Sequence, residues 1–301
     1  MEEQQNQQIE NQAEPELLYH YTTEKGLYGI LDKDAIWASH FRFLNDFKEL
    51  HDFIVWIKKR IEQREKYTSS SQSGNQIRKV LGEKAIQNLK HFVETLDVFL
   101  LSLTVDRDSP MRGDRLSQWR GYGNDGRVFS LGFYPDILKL KVKEFGEQNQ
   151  LPIFEGPLLC EYGENDERNL VKTAITCYFN IDEIGRKQIQ PNSDLASWLI
   201  REMTVFKNEG FYEEKEQRFV FQLSDTMRHN HLIGFHDNSI GRAPHISIPL
   251  GLKEQNSPLM KITVRPTPET EQVAIRLRIV LEKMGIFGVN VVPSQIPYRN
   301  W

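Results

Sequence analysis

Residues 98–105, Val-Phe-Leu-Leu-Ser-Leu-Thr-Val, restrict the fold more than any other stretch of this chain. A short apolar run with little polar alternation and β-branched residues at both ends is the pattern of a strand buried inside a sheet. It ends in a polar loop at 106–113. Further strand patterns recur at 17–23, 35–39, 128–133, 158–162, 211–221, 245–250, 261–264 and 288–292. Between them lie segments with three-and-four apolar spacing. One follows Thr23 through Leu27, Ile30 and Leu31, and another spans 47–61 through Phe47, Leu50, Ile54, Ile57 and Ile61. A third, reaching residue 96, carries Ile77, Val80, Leu81, Leu89, Phe92 and Leu96. Helices are also predicted at 166–184, at 193–206 with Trp198 on the apolar side, and after the Arg265–Pro268 turn through Val273, Ile275, Ile279 and Leu281. The expected fold class is α+β. Residues 17–301 form a single domain with a split, mostly antiparallel sheet, packed helices and a helical insertion at about 45–96.

The 301 residues are 39% hydrophobic and 27% charged, an ordinary balance for a globular chain, and the formal net charge is -4. That sign argues against a surface built mainly to hold duplex nucleic acid, while leaving a locally held nucleic-acid substrate open. The two cysteines, Cys160 and Cys177, fit neither a zinc knuckle nor a redox pair, which points to a reducing compartment. No cationic segment leads into an apolar run, and no stretch approaches the length of a membrane span, so a cytoplasmic protein without membrane contact is expected. Residues 1–16 are rich in Gln, Asn and Glu and read as a disordered tail. The Ser-, Gln- and Asn-rich segment 67–76 reads as a mobile loop.

The run 17–23, Leu-Leu-Tyr-His-Tyr-Thr-Thr, stops at a histidine and two hydroxyls just before a helix that Thr23 can cap. His20 and Thr22 are thereby placed at a strand end beside a helix N-terminus, where exposed amides favour an anionic group such as the phosphate of a nucleotide. The plainer reading has both residues satisfying nearby backbone groups.

The segment 211–221 is the second informative stretch. Read as one strand, it places Glu214, Glu216 and Arg218 on a single face; a solvated edge strand gives the same letters. At 116–123, Trp119 and Tyr122 are three residues apart on one helix face, suited to stacking on a flat ring or to core packing. Asn45 and Asp46 precede the 47–61 helix, where capping is their simplest role. His229, His231 and His236 lie in a polar stretch, and no cysteine or acidic residue at matching spacing completes a metal set.

Taken together, several blocks resemble a bacterial family of unnamed function, domain-of-unknown-function family twenty-nine seventy-one (DUF2971). These are Tyr19 to Thr22, Ile36 to Ser39, Leu44 to Asp46 with Glu49, Ser102 to Thr104, Trp119 with Tyr122, Ser130 to Phe133, Tyr212 to Arg218, and Ser294 to Arg299. That family is similar to a distant branch of the ADP-ribosyltransferases, and the opening His-x-Thr resembles the start of DarT-type DNA ADP-ribosyltransferases and RNA 2'-phosphotransferases. The resemblance implies an ADP-ribosyltransferase-like sheet with NAD as co-substrate and no metal. It implies a nucleic-acid or protein acceptor, a toxin-like or phage-defence role, and a neutralising antitoxin as a possible partner.

By the same resemblance, His20 and Thr22 hold the adenosine side of NAD or its diphosphate, and the Tyr21 backbone holds the nicotinamide amide. Tyr122 or Trp119 stacks on the nicotinamide ring. Asn45, Asp46 and Glu49 are candidate substrate contacts. Glu216 is the carboxylate that stabilises positive charge developing on the ribose, as in glycoside cleavage, and Glu214 is the second carboxylate of the Glu-x-Glu pair. Arg218 binds phosphate or, as preferred here, pairs with Glu214 and orients it. Two other readings stay open. One is a metal-dependent nuclease using Glu213 or Glu214, Lys215 and Asp46, and the other is a non-catalytic nucleotide-sensing or interaction module.

Overall fold

The computed structural model describes residues 16–44, 52–56, 83–84, 86–106, 112–121, 127–163, 194–223, 227–238 and 241–297. Residues 1–15 of the expected tail, the 67–76 loop, the 166–184 helix, Asn45, Asp46, Glu49, Tyr122, Cys177 and Arg299 lie outside these. In chain order the strands and helices are β1 (Leu18–Thr23), α1 (Glu24–Lys33), β2 (Ala35–His40), β3 (Val98–Val105), α2 (Leu116–Gly121), β4 (Val128–Phe133) and α3 (Pro135–Gln148). They continue with β5 (Ile153–Leu159), β6 (Glu161–Tyr162), α4 (Asp194–Val205), β7 (Phe206–Lys207), β8 (Glu216–Gln222), β9 (Ile233–Asn238), β10 (Gly241–Pro249), β11 (Leu259–Val264), α5 (Thr270–Met284) and β12 (Asn290–Pro293). Residues 52–56 and 86–94 are also helical apart from these elements. Helix and strand are mixed and the strand pairing is mostly antiparallel, as expected for an α+β chain.

The chain forms two compact units, and it passes between them within α1, β3 and α3 and just after β10. In the first, comprising Met1–Leu31, Thr104–Leu138 and Gly251–Trp301, the strand order is β12-β11-β4-β1, followed by the last residues of β3. β1 runs antiparallel to β4 over its whole length, from Leu18 opposite Phe133 to Thr23 opposite Val128. Period-two alternation sends Leu17, Tyr19 and Tyr21 to one face, where they pack with Trp119 and Val128. His20 and Thr22 point to the other. α5 buries Val273, Leu277 and Leu281 but exposes Ile275 and Ile279.

In the second unit, Asp32–Leu103 and Lys139–Leu250, the order is β5-β8-β3-β2-β10-β9. β3 is buried as its composition predicts. Val98 and Leu100 pack with Phe53, Trp56, Phe92 and Val93 of the helical residues before it, and with Leu199, Ile200 and Met203 of α4. Full burial of one such aromatic or aliphatic side chain contributes about 1.5–3 kcal/mol, so this cluster is a large share of what anchors β3 and β8.

Two strand readings need correction. The strand expected at 211–221 begins only at Glu216, because residues Glu209–Glu214 form a 3-10 turn. The Asn208 side chain accepts from the Gly210 amide to start that turn, and Lys215 ends it in a left-handed conformation at φ 41°. Glu214 is therefore on the turn, not on the strand face with Glu216 and Arg218. The polar stretch holding three histidines also contains a strand: His229 and His231 lie in a 3-10 helix, whereas His236 lies in β9, paired with β10.

Candidate functional site

In the first unit, the Thr23 hydroxyl accepts from the Gly26 amide at 3.2 Å, the cap expected from the sequence. Gly26 leaves room for the neighbouring Thr22, since a Cβ there would collide with the Thr22 hydroxyl. His20 and Thr22 are half-buried on the opposite face of β1 from Trp119. Trp119 is 1% exposed, meets Tyr21 edge-on at 5.0 Å between centroids, and donates its indole N–H to Asp114 at 2.7 Å. Asp114 also accepts from the Ser294 hydroxyl and the Gln295 amide, tying the terminal segment to the same point. Trp119 is thus an enclosed core residue, and stacking on a nicotinamide ring would require opening that packing. Tyr21 is buried through its ring, its hydroxyl accepts from the Arg115 amide, and burial pushes that hydroxyl's pKa up.

A dense charge cluster lies in the second unit and grows from four local features. α4 ends at Val205 and leads directly into β7, which places Lys207; the capped turn then places Glu214, and β8 opens with Glu216 and, two residues on, Arg218. Glu216 accepts from Arg218 Nε at 2.7 Å and Nη2 at 3.1 Å, and from the Lys207 ammonium. Lys207 Nζ also meets Glu214 Oε2 at 2.5 Å and lies 5.1 Å from the centre of the Phe211 ring. Arg218 Nη1 donates to the Thr204 carbonyl in the last turn of α4 at 2.8 Å, where the helix end favours a cation. The Glu216 amide donates to the Tyr162 hydroxyl at 2.6 Å.

Burial alone would push the Glu216 carboxyl pKa up, but Arg218 and then Lys207 outweigh it and hold the group ionised, with a pKa of about 2. Arg218 therefore orients Glu216, not Glu214 as the sequence suggested, and it is Lys207 that holds Glu214. The side chains of Lys207 and Glu216 are 2% and 7% exposed, whereas that of Glu214 is 36% exposed. The cluster is a line of alternating charge, Arg218, Glu216, Lys207, Glu214, with Glu214 its most exposed member. The strand geometry that the nuclease reading needed around Glu214 and Lys215 is absent, since both belong to the turn and its cap.

A second polar group in this unit joins His236 and His245, whose Nδ1 atoms are 3.2 Å apart and whose rings pack on Trp37. Gly234 allows it, because a Cβ there would press on the His245 ring. Burial and then the facing His236 lower the His245 pKa to about 4. Among the described residues no three His, Cys, Asp or Glu side chains gather as a metal site. No described helix is long and apolar enough to cross a membrane. Cys160 is a buried thiol, and its amide donates to the Glu216 carbonyl.

Fold and site together define an α+β protein with a buried acid–base line at the start of one strand. Residues 118–219 match the model of the family described as protein of unknown function, DUF2971. The matched segment contains the whole line from Lys207 to Arg218. No curated protein and no solved structure matches the chain.

Sequence reading missed Lys207. A single lysine after an amphipathic helix carries no local signal, and only the turn between β7 and β8 brings it to the two glutamates.

Proposed function

We propose that the chain is an NAD-dependent ADP-ribosyltransferase whose acidic group is the Glu214–Lys207–Glu216 line, acting on a nucleic-acid or protein acceptor. The observation that carries this reading is a carboxylate pair joined through one buried lysine, with the inner member held ionised at a pKa of about 2. Breaking the bond between nicotinamide and ribose leaves positive charge on the ribose ring. A fixed, ionised carboxylate stabilises that charge without having to reorganise as it develops.

Here the frame is rigid. Arg218 is pinned by the Thr204 carbonyl, and the Glu216 amide by the Tyr162 hydroxyl, so neither charged group has freedom to swing. A toxin-like or phage-defence role and a neutralising partner belong to this same reading.

The test is nicotinamide release from NAD by the purified chain, with and without RNA, DNA or cell lysate, beside a Glu214→Gln/Glu216→Gln double variant. Release that needs the acidic pair and rises with one acceptor supports the reading and names the acceptor class. Release unchanged in the double variant refutes it.

A further inference from the structure

We propose that His236 and His245 form a two-imidazole site for a divalent transition metal of the zinc, nickel or copper class. It lies in the second unit at the edge of the sheet, where β3, β2 and β10 separate β9 from β8 and its charged line. His236 comes from β9 and His245 from β10, and their Nδ1 atoms are 3.2 Å apart. The protein offers two donors here and water supplies the others, so the site is an open chelate and not a closed structural one.

The register of the hairpin explains how the rings meet. Ala243 stands opposite His236 and Gly234 stands opposite His245, so each imidazole faces a position with a methyl group or no side chain at all. With small residues at both directly opposed positions, the two rings lean toward each other along the diagonal, a span that long and aromatic side chains can reach. A Cβ at Gly234 would come within 2.8 Å of His245 Nε2, so that ring lies over the glycine. Trp37 of β2 packs on both rings, with centroids 4.9 Å from His236 and 4.2 Å from His245, and closes one side of the pair.

Two nitrogens at this separation have the bite of a chelate. With metal–nitrogen bonds of about 2.0–2.1 Å, nitrogens 3.2 Å apart subtend roughly 100° at the metal, between the square-planar and tetrahedral angles. Imidazole suits zinc, nickel and copper, whereas magnesium and calcium take oxygen donors. With both rings neutral, one Nδ1 carries the proton that the other accepts. On binding, that ring holds its proton at Nε2 instead, so both Nδ1 lone pairs turn to the metal and no net proton is released. The bound metal then ties the edge strand β9 to β10.

The experiment uses the purified chain, without an affinity tag and treated with a chelator beforehand, in equilibrium dialysis against micromolar Zn2+, Ni2+ or Mg2+. Wild type is expected to take up one equivalent of Zn2+ or Ni2+ at this pair and no Mg2+. His236→Gln and His245→Gln each weaken that uptake at least about tenfold, and the double variant little further, because loss of either donor already removes the chelate. His231→Gln, on the 3-10 helix before β9, keeps the wild-type uptake. Zn2+ raises the thermal unfolding midpoint of wild type but not of the double variant, since the metal binds the folded hairpin. In an NMR titration of wild type with Zn2+, the imidazole signals of His236 and His245 shift first, a readout that needs no variant to fold.

Uptake that is unchanged in both folded single variants, or first NMR shifts at other histidines, overturns the site. Absence of Zn2+ and Ni2+ uptake by wild type, or equal uptake of Mg2+, overturns it as well and leaves the pair as packing for Trp37.

Discussion

Glu216→Gln probes the buried line most sharply, because its cost in stability can be worked out in two ways. The folded carboxyl has a pKa of about 2 against an ordinary 4.5, because Arg218 and Lys207 outweigh the effect of burial. At about 1.4 kcal/mol per unit, this amounts to ~3 kcal/mol of stability at neutral pH. Removing one member of a buried ion pair costs about 3–5 kcal/mol, the same range reached from mutational behaviour.

The sign follows from proton binding. Between pH 4.5 and 2 the unfolded carboxyl binds more protons than the folded one. Its contribution is therefore complete above pH 4.5 and is lost as pH falls toward 2. Urea denaturation of wild type and Glu216→Gln across pH 7 to 3 is expected to show a difference of ~3 kcal/mol at neutral pH that shrinks by more than half at pH 3. Titrating groups distant from the line cancel in the comparison. A difference below about 1 kcal/mol at pH 7, or one that does not change with pH, would refute the reasoning.

Two further outcomes follow from the same structure. Burial and the facing His236 hold His245 neutral in the folded state down to about pH 4, so its contribution is complete above pH 6.5 and is lost as pH falls toward 4. Imidazole titration by NMR should show this, with His236→Gln moving the His245 midpoint upward; an ordinary midpoint near 6.5 in the wild type would contradict it. Gly113 has φ 76°, and a Cβ there would strike the Tyr19 ring. Gly113→Ala is expected to cost more than about 1 kcal/mol in denaturant unfolding, and a neutral result would show that Gly113 is not held at positive φ against the Tyr19 ring.

How much of this was legible depended on whether the cause was local. β3 was plain in a run with six apolar residues of eight, and the Thr23 cap was plain because the hydroxyl and the amide it accepts from are three residues apart. β1 and its alternation were equally readable, although the alternation also determines that Trp119 lies opposite His20, which the sequence reading did not use.

The acidic site was half legible. Glu214, Glu216 and Arg218 stood out by composition, but their pairing depends on a turn ended by Lys215 at positive φ, a conformation its residue type does not announce. Lys207 and the His236–His245 pair were invisible for a common reason. Each depends on strands meeting across a turn or a hairpin, and β9 is too polar to read as a strand.

The central claim is most directly tested by measuring nicotinamide released from NAD by the purified chain and by Glu214→Gln, in parallel with RNA, DNA and cell lysate. The account predicts release by wild type, stimulated by one acceptor class, and loss of at least about a hundredfold in a variant that remains folded. Absence of release by wild type in every condition, or undiminished release by the variant, contradicts it.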